Sequence, residues 1–417
     1  MLHSKKISRL IVVGSLAFSS SLFAGGFQLW EQDVSDLGDY HAGAAAEADA
    51  AGVEFYNPAG VTRLDKQEIS FGAALVGLDV SYSGTVTSFG STESVTNAQG
   101  GTTNWIPNFH YVRPLPHHLW FSFGETTPFG LETDYDANSS PVNSLATETK
   151  LETFNLNPSL AYEVNRHLSL GVGFDALYGS ADYDNVFATS TISTDLGSWG
   201  YGYNAGALIQ FTPETRLGLS YRSKITVDAS GTSSATATLL PTAAVNSSAT
   251  ATLPLPATSI LSLYHDFNSR FSMMATAFYT QWSCFDQLVI YNLATPLGVT
   301  NLPVAENYRN TWNLALGGKY RFNQFLSMEA GFGHDQTPTQ VGYRDIRLPD
   351  NNRYAASVGL NIQPKPGFIW SMGWTHFFVP TTPIDNSKSD TTGLTPVSLG
   401  NETGNINVIG TQFSVVI

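Results

Sequence analysis

The stretch HLSLGVGFDALYG, His167–Gly179, alternates apolar residues with polar or small residues along its whole length. Side chains at alternate positions of a β-strand point to opposite faces, so this pattern predicts a strand with one apolar face. Three further runs show the same alternation, at 215–228, 311–322 and 368–377. In a soluble sandwich the apolar face would form the core, whereas in a membrane barrel it would face lipid.

Run length and composition decide between these two environments. The runs have about 10 to 15 residues, whereas strands of soluble sheets usually have about 5 or 6. Charged residues make up 13% of the chain and aromatic residues 12%, while a soluble domain carries roughly 25% charged residues. After the start of the chain, no run reaches the ~18 consecutive apolar residues of a membrane helix. We therefore predict an all-β membrane protein that crosses the membrane as a β-barrel.

The connections between the predicted strands alternate between long and tight. We predict fourteen strands near 67–83, 103–113, 118–135, 149–163, 167–180, 199–211, 215–228, 250–265, 270–290, 308–322, 325–335, 352–363, 367–380 and 404–417. Tight links include PLPH (114–117), EVNR (163–166) and TPET (212–215). Bacterial outer-membrane barrels have an even number of antiparallel strands, short periplasmic turns and long external loops. The alternation therefore predicts that both chain ends lie in the periplasm.

The chain begins with the pattern of an exported protein. Three basic residues precede a short apolar run at 10–18, and a small-residue cleavage site follows Ala24. We predict that residues 1–24 are a secretory signal peptide. The remaining chain has 17 basic residues against 34 acidic residues, which argues against nucleic acid as a partner. Cys284 is the one cysteine, so no internal disulfide is possible.

Residues 25–66 do not show the strand alternation. Their segment AAAEADAAGVEFYNPAG (44–60) is rich in Ala, which favours helix, and its Asn-Pro-Ala corner (57–59) ends that tendency. Residues 25–62 contain seven acidic residues and no Lys or Arg. A barrel of fourteen strands has a lumen wider than its own side chains fill, since about eight strands is the filled size. We predict that residues 25–66 form a small, mainly helical hatch that plugs a barrel of residues 67–417.

An acidic plug suits a lumen that carries basic groups. Four basic residues lie on the polar, inward faces of the predicted strands: Arg222, Lys224, Lys319 and Arg321. We predict that some of them form ion pairs with acidic residues of the hatch. The alternative is that these residues lie at the membrane interface and contact lipid head groups. We predict no metal site and no cofactor.

The segment GGFQLWEQDVSDLGDYHAGAAAEADAAGVEFYNPAGVTRL (25–64) resembles the N-terminal hatch of the FadL/TodX family of outer-membrane transporters for hydrophobic compounds. Further matching pieces cover nearly the whole mature chain: NWIPNFHYV (104–112), LETFNLNPSLAY (151–162), GVGFDALY (171–178), WGYGYNAGAL (199–208), YRSKI (221–225) and RLPDNNRYAASVG (347–359). The resemblance implies passive uptake of long-chain fatty acids or similar apolar molecules, which bind between external loops and then in a pocket inside the barrel. It implies that the hatch moves to open the route, with these gate residues: Phe27, Asn57, Pro58 and Ala59.

The resemblance also implies that the ligand leaves sideways through a kink in the third strand. The sequence supports such an opening independently, because Pro128, Phe129 and Gly130 lie inside the third predicted strand. Proline cannot donate to the strand ladder, and glycine inside a strand marks a bulge or a close approach. The flanking strands carry Pro107 and Pro158. Our hypothesis is a broken ladder at 128–130; the alternative is three prolines scattered at strand ends.

The polar end of the ligand is the point at which the chain departs from the family. The family's fatty-acid transporter places basic residues near the ligand carboxylate, but the corresponding segments YGSADYDN (178–185) and WSCFDQLV (282–289) contain no Lys or Arg. The carboxylate is then held elsewhere, with Arg222 as the candidate, or the ligand is an uncharged aromatic hydrocarbon. An open porin and an outer-membrane hydrolase are weaker alternatives. The chain has no G-x-S-x-G or H-E-x-x-H motif, so we predict a monomeric transporter in outer-membrane lipid and not an enzyme.

Overall fold

The computed structural model describes residues 25–88, 90–187, 190–236, 244–389 and 395–417. The predicted signal peptide lies outside these residues. The strands in chain order are β1 (Glu68–Ser88), β2 (Ser91–Gln99), β3 (Thr103–Leu115), β4 (Leu119–Thr126), β5 (Gly130–Asp134), β6 (Glu148–Asn165), β7 (Leu168–Phe187), β8 (Ser190–Gln210), β9 (Thr215–Arg222), β10 (Ile225–Thr236), β11 (Val245–Leu255), β12 (Thr258–Asp266), β13 (Phe271–Thr280), β14 (Gln287–Thr295), β15 (Gly298–Ala305), β16 (Thr311–Asn323), β17 (Leu326–Asp335), β18 (Arg353–Lys365), β19 (Phe368–Phe378), β20 (Thr382–Asp385) and β21 (Val397–Val416).

Fourteen of these strands form a closed ring of antiparallel neighbours in the described part of the chain. The ring consists of β1, β3, β4, β6, β7, β8, β9, β12, β13, β16, β17, β18, β19 and β21. It closes where β1 pairs with β21, in a register that runs from Glu68 opposite Val416 to Thr87 opposite Val397. The predicted 14-stranded antiparallel barrel is confirmed.

Strand β7 shows why the alternating sequence gives this barrel. Val172 is 62% exposed on the outside of the ring, and Leu170 and Phe174 flank it on the same face. Asp175 points inward and is fully buried. The apolar side chains therefore form an outer surface suited to lipid, while the polar side chains meet the contents of the lumen.

One rim of the barrel carries only short turns, as the sequence predicts. Ring strands are joined there at 116–118, 166–167, 211–214, 267–270, 324–325 and 366–367, and both ends of the ring lie at this rim. At the opposite rim the strands extend further than predicted. The links predicted at 84–102, 181–198 and 229–256 consist largely of strand residues, because paired hairpins continue beyond the ring. Their many Thr residues favour extended backbone, and cross-strand bonds satisfy their peptide groups.

The hatch lies inside the ring but is built from turns more than from helix. It contains the α-helix α1 (Val53–Tyr56) and the 3₁₀ helices Leu37–Asp39 and Pro58–Arg63. Further 3₁₀ helices lie outside the hatch, at Val142–Ser144 and Trp282–Cys284. No helix in the described residues is both long and apolar enough to cross a membrane. The hatch lies where it was predicted, but the prediction that it is mainly helical is wrong.

The alanine-rich stretch 44–46 shows why the helix prediction was wrong. Gly43 has a φ angle of 83°, which interrupts a helix, and the chain from there forms turns. The Gly43 N–H donates to Thr276 Oγ1 of β13 at 2.7 Å, and the Ala45 N–H donates to Ser262 Oγ of β12 at 3.1 Å. Bonds to the wall therefore replace the intrahelical bonds that alanine would otherwise favour.

Candidate transport site

The Asn-Pro-Ala corner is fixed between the hatch and the wall. Asn57 has an extended backbone and precedes the 3₁₀ helix that begins at Pro58; its Oδ1 accepts from the Ala59 N–H at 3.0 Å. Its Nδ2 donates to the carbonyl of Ala45 at 2.7 Å and to that of Ala207 in β8 at 3.1 Å. The asparagine side chain thus joins two turns of the hatch to the barrel wall.

The predicted pairing of wall cations with hatch acids occurs at Lys319. Its Nζ lies 2.8 Å from Glu47 Oε1 and 2.7 Å from Asp49 Oδ2 of the hatch, and 3.0 Å from Glu329 Oε1 of β17. Burial raises the pKa of Glu47 to about 8, and the neighbouring Asp49 adds to the shift. Carboxylate oxygens of Asp36, Glu47 and Asp49 lie within 4.8 Å of one another. In this cluster the lysine ammonium supplies the positive charge that a metal ion could otherwise provide.

Two other predicted basic residues point inward but have different partners. Arg222 pairs with Asp175 of the wall, donates to the Phe55 carbonyl of the hatch at 2.8 Å, and stacks over the Phe55 ring at 4.5 Å. Arg321 lies 3.3 Å from Asp266 and donates to the Tyr264 hydroxyl at 2.9 Å. Arg222 therefore contacts the hatch through a carbonyl and a ring, and Arg321 contacts the wall.

Lys224 does not face the lumen as predicted, because its side chain is exposed. The strand is interrupted between β9 and β10, so the alternation shifts by one position after Arg222. As a result, Ile225 and Val227, predicted to lie on the outer face, are buried on the inside. The sequence has three consecutive polar residues here, Arg222, Ser223 and Lys224, so Ser223 breaks the alternation at the point where the strand is interrupted.

Further charged contacts between wall and hatch were not predicted. Arg216 of β9 donates to the carbonyls of Ala46 and Glu47, and His110 of β3 lies 2.9 Å from Glu54. Arg216 has the same strand parity as Arg222, so the predicted inward face could have identified it. His110 lies in a segment that resembles the family, but nothing in the local pattern marks it as a hatch contact.

The third strand of the wall is interrupted at the predicted proline. β4 ends at Thr126 and β5 begins at Gly130. On one side both pieces pair with β6. On the other side the ladder between β4 and β3 ends where Phe109 pairs with Glu125, and in the described residues β5 makes no ladder pair with β3. The interruption predicted at 128–130 is thus present.

The N-terminal segment of the hatch, residues 25–32, lies against this interruption. Gln28 forms an isolated β-bridge with Phe129. The Leu29 N–H donates to the Pro128 carbonyl at 2.9 Å, and the Gly130 N–H donates to the Phe27 carbonyl at 2.9 Å. Predicted gate and exit residues are therefore in direct contact.

A large apolar cavity lies on the other side of Phe27. It encloses about 1050 Å³, part of it open to solvent. Its apolar lining includes Leu131, Leu151, Leu196, Val227, Leu253, Phe285, Leu288, Ile290, Leu302 and Val304. A smaller cavity of about 520 Å³ is lined by Pro128, Phe129 and Arg222. The Phe27 ring lines the large cavity and contacts the Phe129 ring of the small one, with centroids 6.1 Å apart.

The large cavity also contains basic side chains. Lys150 Nζ lies 2.6 Å from Glu152 Oε1, and Arg347 Nε donates to Asp345 Oδ2 at 2.6 Å. Burial raises the pKa of Glu306 to about 7 in the same cavity, although Arg347 opposes the shift. Arg222, the candidate carboxylate partner from sequence, lines the smaller cavity. Lys150 and Arg347 lie outside the two segments that correspond to the family's basic positions, so the resemblance does not point to them.

The fold and this arrangement agree with a known family. The family model described as outer membrane protein transport protein (OMPP1/FadL/TodX) matches residues 15–416. The chain belongs to this family. It is therefore a bacterial outer-membrane transporter of hydrophobic compounds.

Relatives of this FadL/TodX-family chain include transporters for different compounds. The long-chain fatty acid transport protein of Salmonella typhi is 30% identical over 382 residues, covering 84% of this chain and 86% of the relative. The crystal structure of a Pseudomonas aeruginosa FadL homologue has a TM-score of 0.84 at 24% identity, covering 94% of this chain and 99% of that chain. That of the Ralstonia pickettii toluene transporter TbuX has a TM-score of 0.70 at 17% identity, covering 93% and 100%. These two crystal structures support the β-barrel fold of this chain.

Proposed function

We propose that this protein takes up long-chain fatty acids, with the acyl chain in the large cavity and the carboxylate at Arg347 and Lys150. The observation that carries this proposal is the presence of two basic side chains in a cavity whose lining is mainly apolar and also includes Asp182, Glu306 and Asp345. A long-chain fatty acid needs both environments, since each buried methylene contributes about 0.8 kcal/mol while a buried carboxylate must be paired. The similarity to the Salmonella typhi fatty acid transport protein supports the same substrate class.

The existing acidic partners do not prevent binding of a carboxylate. A guanidinium has five N–H donors, and Asp345 accepts from the Nε and lies next to Nη2 of Arg347. The remaining donors are available to a ligand. Lys150 is partly exposed beside Glu152, and an ammonium group has three donors.

The proposed route runs from the outer rim through the large cavity to the interruption of the third strand. Phe27 lines the large cavity and contacts Phe129, so movement of the N-terminal segment would join the two cavities. The ligand would then leave sideways between β3 and β5, close to Pro128. The short-turn rim and both ends of the ring would face the periplasm, as in other outer-membrane barrels. The hatch would close the pore at rest, and the self-closed ring would act as a monomer.

Paired variants test the carboxylate site without leaving a lone buried charge. Arg347→Met with Asp345→Asn, and Lys150→Met with Glu152→Gln, each remove one cation together with its acidic partner. We expect the affinity for a fatty acid to fall about tenfold or more, because a hydrogen bond to a charged group contributes about 1.5–3 kcal/mol. Calorimetry on detergent-purified protein would measure binding of oleate and of toluene. Arg321→Met with Asp266→Asn is the control, because that pair lies away from the large cavity.

Uptake of uncharged aromatic hydrocarbons is the second candidate. The ion pairs of the large cavity favour it. Both cations there already have a carboxylate partner, so the cavity holds little net charge. If this candidate is correct, the paired variants would bind toluene with the affinity of the wild type. The wild type and the variants would all bind oleate weakly. Mass spectrometry of ligands that co-purify with the protein would separate the two candidates, since acyl chains support the first and aromatic compounds the second.

A further inference from the structure

The interruption of the third strand leaves backbone groups that the barrel wall does not pair. Thr127 lies just after the end of β4, and its peptide groups bond to a side chain of the hatch. Gln32 Oε1 accepts from the Thr127 N–H at 2.8 Å, and Gln32 Nε2 donates to the Thr127 carbonyl at 2.7 Å. A carboxamide has one acceptor and one donor edge, like a peptide unit, so Gln32 bonds to Thr127 as a neighbouring strand would.

The backbone of the N-terminal segment continues this pairing along the interruption. After Thr127, the Pro128 carbonyl accepts from Leu29 and the Gly130 N–H donates to Phe27. Residues 27–32 therefore supply partners to Thr127, Pro128 and Gly130, whereas the N–H and the carbonyl of Phe129 bond to Thr153 Oγ1 of β6. In a membrane such groups need protein partners, because lipid offers no hydrogen bonds.

The position of Gln32 is itself fixed by the hatch and the wall. Its carbonyl accepts from His110 Nε2 of β3 at 2.8 Å, and the other ring nitrogen, Nδ1, lies 2.9 Å from Glu54 Oε1 of α1. His110 and Glu54 are fully buried. Because a carbonyl can only accept a hydrogen bond, Nε2 of His110 carries a proton. A second proton lies in the contact between Nδ1 of His110 and Glu54. Gln32 is thus connected to both strands that border the interruption, β3 and β4, and to the central helix of the hatch.

We propose that Gln32 is a positioning residue that replaces the missing neighbouring strand at Thr127 and keeps the lateral exit closed. The part of this proposal that concerns the exit rests on the proposed function. When the N-terminal segment moves away, both peptide groups of Thr127, the Pro128 carbonyl and the Gly130 N–H lose their partners together. The exit therefore opens only when the whole N-terminal segment separates from the third strand. It does not open by gradual loss of single hydrogen bonds along that strand.

Hydrogen exchange measured by mass spectrometry on the purified full-length protein in detergent tests this proposal. In Gln32→Met, amide exchange in a peptide that covers 125–131 is expected to rise about tenfold relative to wild type. Gln32→Asn retains the amide but is one methylene too short, and the same local rise is expected. Gln412→Met is the matched control: Gln412 is fully buried on β21 and accepts from the hatch Val34 N–H at 3.0 Å, away from the interruption. Its 125–131 peptide is expected to exchange as in wild type.

Uptake of a fluorescent fatty acid by cells that lack other such transporters gives the second readout. Both Gln32 variants are expected to raise the initial uptake rate several-fold, while Gln412→Met leaves it unchanged. The proposal is overturned if exchange at 125–131 stays at the wild-type level, if it rises equally in Gln412→Met, or if it rises without faster uptake. Failure of the wild-type protein to transport any fatty acid would instead contradict the proposed function, and the exchange result would stand independently of it.

Discussion

The barrel wall holds the two parts of the hatch by different chemistry. The anchored part, residues 36–64, is bound by ionic contacts such as that of Lys319 with Asp49, and Lys319 also donates a hydrogen bond to Glu47. The N-terminal segment, residues 25–32, is bound to the third strand through backbone groups and the carboxamide of Gln32. Both parts are almost completely buried, so burial does not distinguish them.

This difference assigns different mobility to the two parts. Breaking a buried ion pair by removing one partner costs about 3–5 kcal/mol, whereas one neutral hydrogen bond contributes about 0.5–1.5 kcal/mol. Neutral bonds can also be remade with water or with a ligand as the segment moves. We therefore expect the N-terminal segment to move during transport while the anchored part remains in the barrel.

The largest expected effect comes from removing the cation of the anchored part. Lys319→Met leaves Glu47, Asp49 and Glu329 without their shared partner inside the barrel. We expect the whole hatch to loosen, at a cost of about 3–5 kcal/mol. Single-channel recording in planar bilayers would then show frequent large openings that wild type lacks.

Arg321→Met is the control for this variant, because Arg321 lies two residues further along β16 and contacts only the wall in its recorded ion pair and hydrogen bonds. It should keep the low conductance of wild type. Similar openings in both variants would mean that charge loss in β16, and not the bond to the hatch, determines closure.

A smaller effect is expected where the wall approaches the Asn-Pro-Ala corner. A Cβ atom at Gly206 of β8 would lie 2.0 Å from Asn57 Oδ1, so Gly206→Ala must displace the corner. Overpacking of this kind costs about 1–3 kcal/mol. We expect protease cleavage within the hatch of the purified protein to become several-fold faster.

Gly318→Ala in β16 is the matched control. A Cβ at Gly318 would have its nearest contact at 3.3 Å, with the carbonyl of Ser272 in the neighbouring strand. Unchanged proteolysis of Gly206→Ala would show that the corner can shift without loosening the hatch, which would contradict a rigid anchored part.

The sequence was sufficient for the barrel because period-two alternation is a local property of each strand. It also placed Lys319 among four candidate partners of hatch acids, and it identified Pro128 as the interrupted position. It was insufficient where the phase of the alternation changes: the interruption after Arg222 turns Ile225 inward, and Ser223 breaks the local pattern without showing on which face the strand resumes.

The site depended on long-range contacts that no local pattern shows. Arg347 lies in the segment between β17 and β18, and only the folded chain brings it beside Leu151 and Val304 in the large cavity. The turns of the hatch likewise follow from wall hydroxyls such as Thr276, which lie more than two hundred residues away in sequence. In most strands the alternation predicted which side chains face the lumen. It did not predict which of these side chains contact one another.

The smallest expected effect is a pH dependence confined to the anchored part. Burial raises the pKa of Glu47 to about 8 in the closed barrel, against an ordinary value of 4.5. Although burial opposes it, Lys319 lowers the pKa of Asp49 to about 2, so Asp49 stays ionised near neutral pH. The seated hatch thus binds a proton at Glu47 more tightly than a displaced hatch. This contribution is fully present below pH 4.5 and is lost as the pH rises through 8.

Between pH 7 and pH 8 the free energy that favours the seated hatch falls by at most about 1.4 kcal/mol, which corresponds to a tenfold rise in the open fraction. Hydrogen exchange in a peptide that covers 43–50, corrected for the intrinsic rate, should therefore rise over this interval and level off above it. Glu47→Gln keeps a neutral group at this position and should reduce the rise. Asp36, whose pKa burial also raises, would account for a remainder. The 125–131 peptide has titratable neighbours of its own, Glu125 and the His110–Glu54 pair, so Glu47→Gln should leave its exchange as in wild type at each pH. A change of equal size in both peptides of Glu47→Gln would mean that the two parts of the hatch open together, and the distinction between them would be wrong.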